Sequence, residues 1–513
     1  MNNADNSPKS PARRKLLAGA AATSASLIAA SGAEPQTPEA LPTSQRAVGT
    51  ASFTKTLPHD SLGVVEPNAM RMFEDATVSG RIADWEALPI KNEIRLVNPL
   101  AAYAWTSDPL AKDVITLPPF PKLDSIELAE QALELYWMAL LRDVPLWDYE
   151  RNSLVRDALV ELTKTKLNAN ATTESLFRLN SPGERSGHYV SQFLWMTIPY
   201  GAHITYQKYR TVHRGVEFAT KREEVVRLAN GEWPAGIANH YADDFYLRSG
   251  RDLAEYVHWD FSYQAFVDAA SILIGNPHRP REGVARANPY KTSRTMNGFV
   301  SFGPAFAHNA MGVVSDCAMR ACWHEKWVRH RALRPDAYGV LVDRVARGER
   351  AQSVGIHPMI ANSEAVKRVR AKFGSALLPQ AYPEASPAHP AYPSGHAAIA
   401  GACVTVLKAL FDEKREIRFP IQPTRDGKDW EDLDRTLPRP TVGGELNKLA
   451  ANVAVGRNIA GIHWRSDAEQ GLRLGESVAL AWLKAERLKS IEGKQGWLKE
   501  FELTDFGGTT VRA

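Results

Sequence analysis

Ser394, Gly395 and His396 open the run "HPAYPSGHAAIAGACVTVLKAL" (389–410), behind a loop with proline at 379, 383, 387, 390 and 393. Serine is an ordinary helix N-cap, but glycine is costly inside a helix and histidine is polar. A hydroxyl, a bare backbone N–H and an imidazole at the positive end of a helix suit an anion. Orphan N–H groups and the macrodipole attract it, Gly395 lets an oxyanion approach the backbone, and His396 moves protons near neutral pH. Alone, the stretch is equally a capped helix with an incidental histidine.

Two other segments carry complementary chemistry. In "CWHEKWVRHRALRPDAYG" (322–339), Lys326 and Arg334 are eight residues apart and on a helix would point within about 80° of one another. Pro335 disfavours helix at the residue before it, which puts Arg334 at or near a helix end. Alone this is a solvated basic face, although Trp323 and Trp327 sit among the charges. In "GRNIAGIHWRSD" (456–467), His463 and Asp467 are i and i+4 and so neighbours on one helical face. A carboxylate there fixes an imidazole's tautomer, and Arg457 adds a permanent charge and a fork of donors. Alone this is an exposed Asp–His–Arg surface. Together the segments offer three cations (Lys326, Arg334, Arg457), two neutral donors (Ser394, Gly395) and two histidines. That set matches a phosphate-like dianion or trianion, which needs compensating charge when it leaves water.

The elements that position these residues read as helices. "DSIELAEQALELYWMALLRDV" starts with Asp124 and Glu127 spaced as a capping box and carries apolar residues at 3–4 spacing. "GRDLAEYVHWDFSYQAFVDAASILIGNP" reads as one helix of about six turns, stopped by Gly275 and Pro277. Similar runs cover about 190–208, 300–333, 394–413, 444–460 and 467–490, and alternating Val/Ile/Thr segments are scarce, so the expected class is all-α. Loops at 276–296, 376–393 and 416–442 are long and rich in proline and charge.

Bulk properties narrow the function. With 62 Lys+Arg against 58 Asp+Glu in 513 residues, the net charge of +4 predicts no nucleic-acid partner, so basic chemistry must be local. No apolar run reaches the roughly 18 residues that span a bilayer, and a soluble globular protein without a membrane span is expected. Cys317, Cys322 and Cys403 have no metal spacing and read as buried free thiols. Residues 1–33 hold paired Arg13-Arg14, a weakly apolar Ala-rich stretch and Ser31-Gly32-Ala33 as a small-residue cleavage site. They fit a twin-arginine signal exporting a folded protein to the periplasm or beyond; a disordered Ala/Ser-rich tail is the alternative. Residues 34–57 read as a linker, 58–300 as an N-terminal helical part, 301–490 as a C-terminal bundle carrying the site, and 491–513 as a tail.

The order Lys326…Arg334-Pro335, Pro393-Ser394-Gly395-His396, Arg457…Gly461-x-His463…Asp467 resembles the signature of the vanadium-dependent haloperoxidases. These share fold and site with acid phosphatases and type 2 phosphatidic acid phosphatases. Similarity to bacterial haloperoxidases extends over "LYWMALLRDVP", "YVSQFLWMTIPYGA", "GRDLAEYVHWD" and "NGFVSFGPAF", and covers roughly residues 120–490. Gly456 stands where many members have serine; the arginine after it is present. The resemblance implies paired four-helix bundles and a vanadate cofactor with His463 as axial ligand. Lys326, Arg334, Ser394, Gly395 and Arg457 would hold its equatorial oxygens, His396 would be the acid–base residue, and Asp467 would orient His463. The implied reaction is Lewis-acid activation of hydrogen peroxide, with Lys326 polarising it, to oxidise halide to a hypohalous acid equivalent that halogenates a small organic acceptor. Trp323 matches an aromatic of chloroperoxidases and His389 a histidine of bromoperoxidases; bromide, the easier to oxidise, is favoured. His258 and Asp260 are weak outer-partner candidates. Homodimers are usual among bacterial members.

Two rival readings fit the same residues. A phosphatase would use His463 to attack phosphorus and His396 to protonate the leaving group. Seven residues separate Lys326 from Arg334, as in haloperoxidases, where many phosphatases have six. The other rival is a degenerate relative that binds oxyanions or works without vanadium.

Overall fold

Eight helices position the site in the computed structural model, which describes residues 52–234, 240–275, 284–285 and 287–513. They are α1 (Ile126–Leu141), α2 (Gly250–Tyr256), α3 (Gln264–Ile274), α4 (Pro304–His324), α5 (Pro335–Ala346), α6 (Gly395–Leu410), α7 (Val442–Ile459) and α8 (Arg465–Lys489). The proposed export signal, the linker up to residue 51 and part of the 276–296 loop lie outside the described residues.

Helix α6 is apolar on all faces, as a helix enclosed by others must be, and every residue from Ala397 to Leu410 is buried. It packs against α8, α4 and α7, the other members of a four-helix bundle. The approach of α6 to α8 depends on glycine. A methyl at Gly475 would overlap the Ala398 carbonyl oxygen, and one at Gly401 that of Leu472. A second helical group surrounds α1, with Ser153–Leu162, Pro358–Ala361 and Glu364–Phe373 against it. α1 and α2 both rest on α7, so the elements before residue 300 lie directly on the bundle. Strands among the described residues are confined to four two-stranded antiparallel pairs, and the fold is all-α. Residues 491–513 carry one of these pairs, Glu502–Thr504 with Thr510–Arg512. It is tied to the bundle where Lys408 Nζ donates to the Thr504 carbonyl at 2.6 Å and Phe506 N–H to Glu476 at 2.9 Å. All three cysteines are free; Cys322 and Cys403 are buried and Cys317 is half-buried.

Four expectations from pattern are corrected. The cap of α1 is Ser125, whose hydroxyl accepts from Leu128 N–H at 3.2 Å, rather than an Asp124/Glu127 box. The 190–208 run is a single 3-10 turn (Gln192–Leu194) and a hairpin pairing Ile198–Tyr200 with His203–Thr205. Pro199 and Gly201, at φ 62°, explain the departure from helix. The six-turn helix from Gly250 is two helices interrupted at 257–263, where "VHWDFSY" is poor in strong helix formers. Finally, α4 does not continue to Arg334. It passes into a π-helical turn, Glu325–His330, and ends at Arg331 in the left-handed region, φ 47°.

Candidate active site

Lys326 lies in that π-helical turn, a feature that recurs where a helix must re-aim a functional side chain. Its Nζ is fully buried and donates to the carbonyls of Pro390 and Ala391, both at 2.7 Å. An ammonium has three donors, so one remains. Burial pushes its pKa down to about 7, with Arg334 and Arg457 adding to the effect and Asp467 opposing it. Arg334 is the N-cap of α5, extended before Pro335. The two cations therefore converge from separate elements and do not share a helical face.

Arg334 is a hub. Its Nε donates to the His389 carbonyl at 2.9 Å, Nη1 to the Ile462 carbonyl at 2.8 Å and to His463 Nε2 at 3.0 Å, and Nη2 to the His389 ring at 3.0 Å. A guanidinium only donates, so Nε2 of His463 carries its lone pair. The proton is on Nδ1, which donates to Asp467 Oδ2 at 2.7 Å. Burial, then Arg334, Lys326 and Arg457, hold the His463 pKa well below that of ordinary histidine. The His463–Asp467 contact is not across a helical face, as i,i+4 spacing suggests. His463 precedes the Trp464 N-cap, and Asp467 reaches back from the first turn of α8 to accept the Trp464 N–H at 3.0 Å as well. Burial raises the Asp467 carboxyl to about 7, against the pull of Lys326 and Arg334.

Ser394 caps α6 with its hydroxyl oxygen, accepting from Ala397 N–H at 3.3 Å, and its own N–H donates to the Asp467 carbonyl at 2.9 Å. The start of α6 is thereby joined to the His463 segment. Gly395 follows as the first helical residue, its N–H among those a helix leaves unpaired. Arg457, in the last turn of α7, donates Nη1 to the Val257 carbonyl at 2.6 Å, while its buried Nε has no partner. The structure thus brings Lys326, Arg334, Arg457, Ser394, Gly395, His463 and Asp467 to one place. Trp323 and His389 lie beside it with ring centroids 4.9 Å apart, and Lys326 Nζ is 6.0 Å from the Trp323 ring.

His396 is set differently. Its side chain is 25% exposed, and Nε2 meets Asp260 Oδ1 at 3.0 Å, so this imidazole reaches solvent while that of His463 does not. Sequence reasoning gave Asp260 little weight. No periodicity points to it, because it sits in the interruption between α2 and α3; the run of poor helix formers there is the signal that marks it.

Three buried cations meet a single carboxylate, with an orphaned Arg457 Nε and a spare Lys326 donor. Such a cup is complete only with an anion of more than one charge, and a vanadate ion fits its donors. Among the described residues no His/Cys/Asp/Glu group is arranged to hold a metal cation; imidazoles ringed by cations are the donor set of an oxyanion.

Comparison with known proteins agrees with this fold and chemistry. Residues 306–490 match the model of the VCPO second helical-bundle domain. A vanadium-dependent bromoperoxidase of Ascophyllum nodosum is 34% identical over 490 residues, covering 90% of this chain and 86% of that protein. One from Corallina officinalis is 30% identical, covering 90% of each. The solved homohexameric second vanadate-dependent bromoperoxidase of Ascophyllum nodosum superposes with a TM-score of 0.81 at 29% identity, over 91% of this chain and 85% of that one. The chain belongs to the vanadium-dependent haloperoxidases. The two sequence relatives named here are algal proteins.

Proposed function

We propose that the protein uses vanadate and hydrogen peroxide to oxidise halide, bromide in preference to chloride, to a hypohalous acid equivalent that halogenates small organic acceptors. The observation that carries this is His463 Nε2, an unprotonated imidazole nitrogen buried among Lys326, Arg334 and Arg457. When bound, vanadate supplies a Lewis-acidic V(V) centre that activates peroxide without changing oxidation state. His463 Nε2, which now accepts from Arg334, would be the protein ligand to vanadate, and Asp467 keeps the proton on Nδ1. Lys326, Arg334 and Arg457 would hold the oxyanion with the Ser394 hydroxyl and Gly395 N–H, and their positive charge would stabilise the negative charge brought to the site. His396, fixed at Nε2 by Asp260, takes and returns protons at Nδ1. The net change is peroxide, halide and one proton to hypohalous acid and water. Trp323 and His389 border the halide's place. Bromide is supported by the relatives' names, which are bromoperoxidases.

We also propose that residues 1–33 direct twin-arginine export, supported by Arg13-Arg14 and the small-residue segment after them. The division into an N-terminal part (58–300) and a C-terminal bundle (301–490) is kept as a proposal, supported by the family match at 306–490. Assembly into homodimers or a larger oligomer is proposed as well, since the solved Ascophyllum protein is described as a homohexamer. No helix of the described residues is long and apolar enough to cross a membrane. The test of function is reconstitution: protein stripped with chelator receives orthovanadate, peroxide and each halide with a dye acceptor. Vanadate-restored bromination exceeding chlorination is expected. Hydrolysis of phosphate esters that vanadate inhibits, without halogenation, overturns the reading.

A further inference from the structure

The interruption between α2 and α3 touches the site at two separate points. The Val257 carbonyl accepts from Arg457 Nη1 at 2.6 Å, and Asp260 meets His396 Nε2 at 3.0 Å. Between them His258, its side chain 5% exposed, is fastened in three directions. Nε2 faces Glu384 at 2.7 Å, Nδ1 faces Glu255 at 3.3 Å, and the ring lies flat on Tyr382 at 3.8 Å between centroids and 6° between planes. The same tyrosine ring has the Arg457 guanidinium carbon 5.4 Å from its centroid, and its hydroxyl donates to the Ala254 carbonyl at 2.5 Å. Glu384 is itself held, its carbonyl accepting from Lys55 Nζ at 2.8 Å. Burial works against a charge on His258, but the bonds to Glu255 and Glu384 outweigh it and raise its pKa. An imidazolium between two carboxylates and stacked on an aromatic ring has little freedom. A loop of such composition would otherwise have much.

We propose that His258 is a positioning residue that locks the 257–260 turn. Through that turn it sets both the Arg457 guanidinium and the His396 imidazole. The inference rests on reading the cationic cup as a vanadate site. It explains why residues that make no contact with the cup are so heavily paired: one turn carries the acceptor of an anion-holding arginine and the carboxylate of the proton-handling histidine. Moving it shifts both.

The test uses the full-length apoprotein with His258→Phe, which keeps the stack and loses both ion pairs. Glu384→Gln is the gentler variant, since that side chain is 23% exposed and its replacement leaves no buried charge on its own side of the pair. Vanadate Kd by calorimetry is expected to weaken about tenfold for His258→Phe, the lower end of the range for outer partners that orient ligating groups, and by less, about threefold, for the gentler Glu384→Gln. The pH–rate profile of halide oxidation is expected to shift by about half a unit in both. A lowered melting temperature with wild-type Kd and an unchanged pH profile would mean His258 serves packing alone, and would overturn the proposal. Wild-type protein that binds no vanadate would remove the site reading and this inference with it.

Discussion

Replacing Lys326 with methionine tests the idea that the cup holds charge in anticipation of an anion. The ammonium is fully buried, uses two donors on backbone carbonyls and has a third left over. Its pKa falls from 10.5 to about 7, a difference on the order of 4–5 kcal/mol in the cost of keeping it charged. A bound oxyanion offsets that cost with a charge-assisted hydrogen bond of about 1.5–3 kcal/mol. Vanadate Kd should therefore weaken about 10- to 150-fold in Lys326→Met. The apoprotein carries a second signature. Because the folded pKa lies below the unfolded one, the unfolded chain binds more protons between pH 7 and pH 10.5. Wild-type stability accordingly gains from this lysine as pH rises through that window, by at most about 1.4 kcal/mol per pH unit. The variant lacks that gain. Its absolute stability is a poorer guide, since the Pro390 and Ala391 carbonyls lose a donor at about 1–3 kcal/mol each. Denaturant unfolding of both apoproteins at intervals from pH 6.5 to 9 reads the difference in slope, and calorimetry reads the Kd. Equal slopes together with equal vanadate affinity would refute the reasoning.

Asp260→Ala should separate binding from proton handling: turnover falls about 10- to 100-fold while vanadate Kd stays within about threefold, measured by steady-state kinetics beside calorimetry. Gly395→Ala should fold normally, because the added methyl meets Trp323 at 3.4 Å and Met319 at 3.5 Å, ordinary contacts. Its melting temperature holds or rises with the gain in helix propensity. Its vanadate affinity should fall about tenfold, because the bare Gly395 backbone is what lets the oxyanion approach closely. Trp323→Phe should change the KM ratio for bromide and chloride about threefold and leave vanadate binding unaltered, since the Trp323 N–H is spent on the Val97 carbonyl at 3.2 Å.

Much of the site was legible because its chemistry is local in sequence. Ser394 and Gly395 announce a helix N-terminus by type alone, and Pro335 puts Arg334 at a helix end, which the structure finds as the start of α5. How the pieces face one another was less legible. The π-helical turn at Glu325–His330 changes the direction of Lys326 in a way that no 3.6-residue periodicity encodes. The i,i+4 spacing of His463 and Asp467 suggested a helix surface, whereas Asp467 is a cap reaching backwards. Asp260 and His258 stood out only weakly for a related reason: their roles come from tertiary pairing with His396, Glu384 and Tyr382, between 124 and 136 residues away along the chain. The helical class survived these local errors, because burial of α6 on all faces needs only composition and length.

The most direct measurement is a crystal structure of the protein soaked with vanadate, located by its anomalous scattering. The account predicts a single strong peak bonded to His463 Nε2, with Arg334 swung from that nitrogen onto the oxyanion and Lys326, Arg457 and the Ser394 hydroxyl around it. A peak elsewhere, or His463 Nε2 still held by Arg334 with vanadate present, would contradict it.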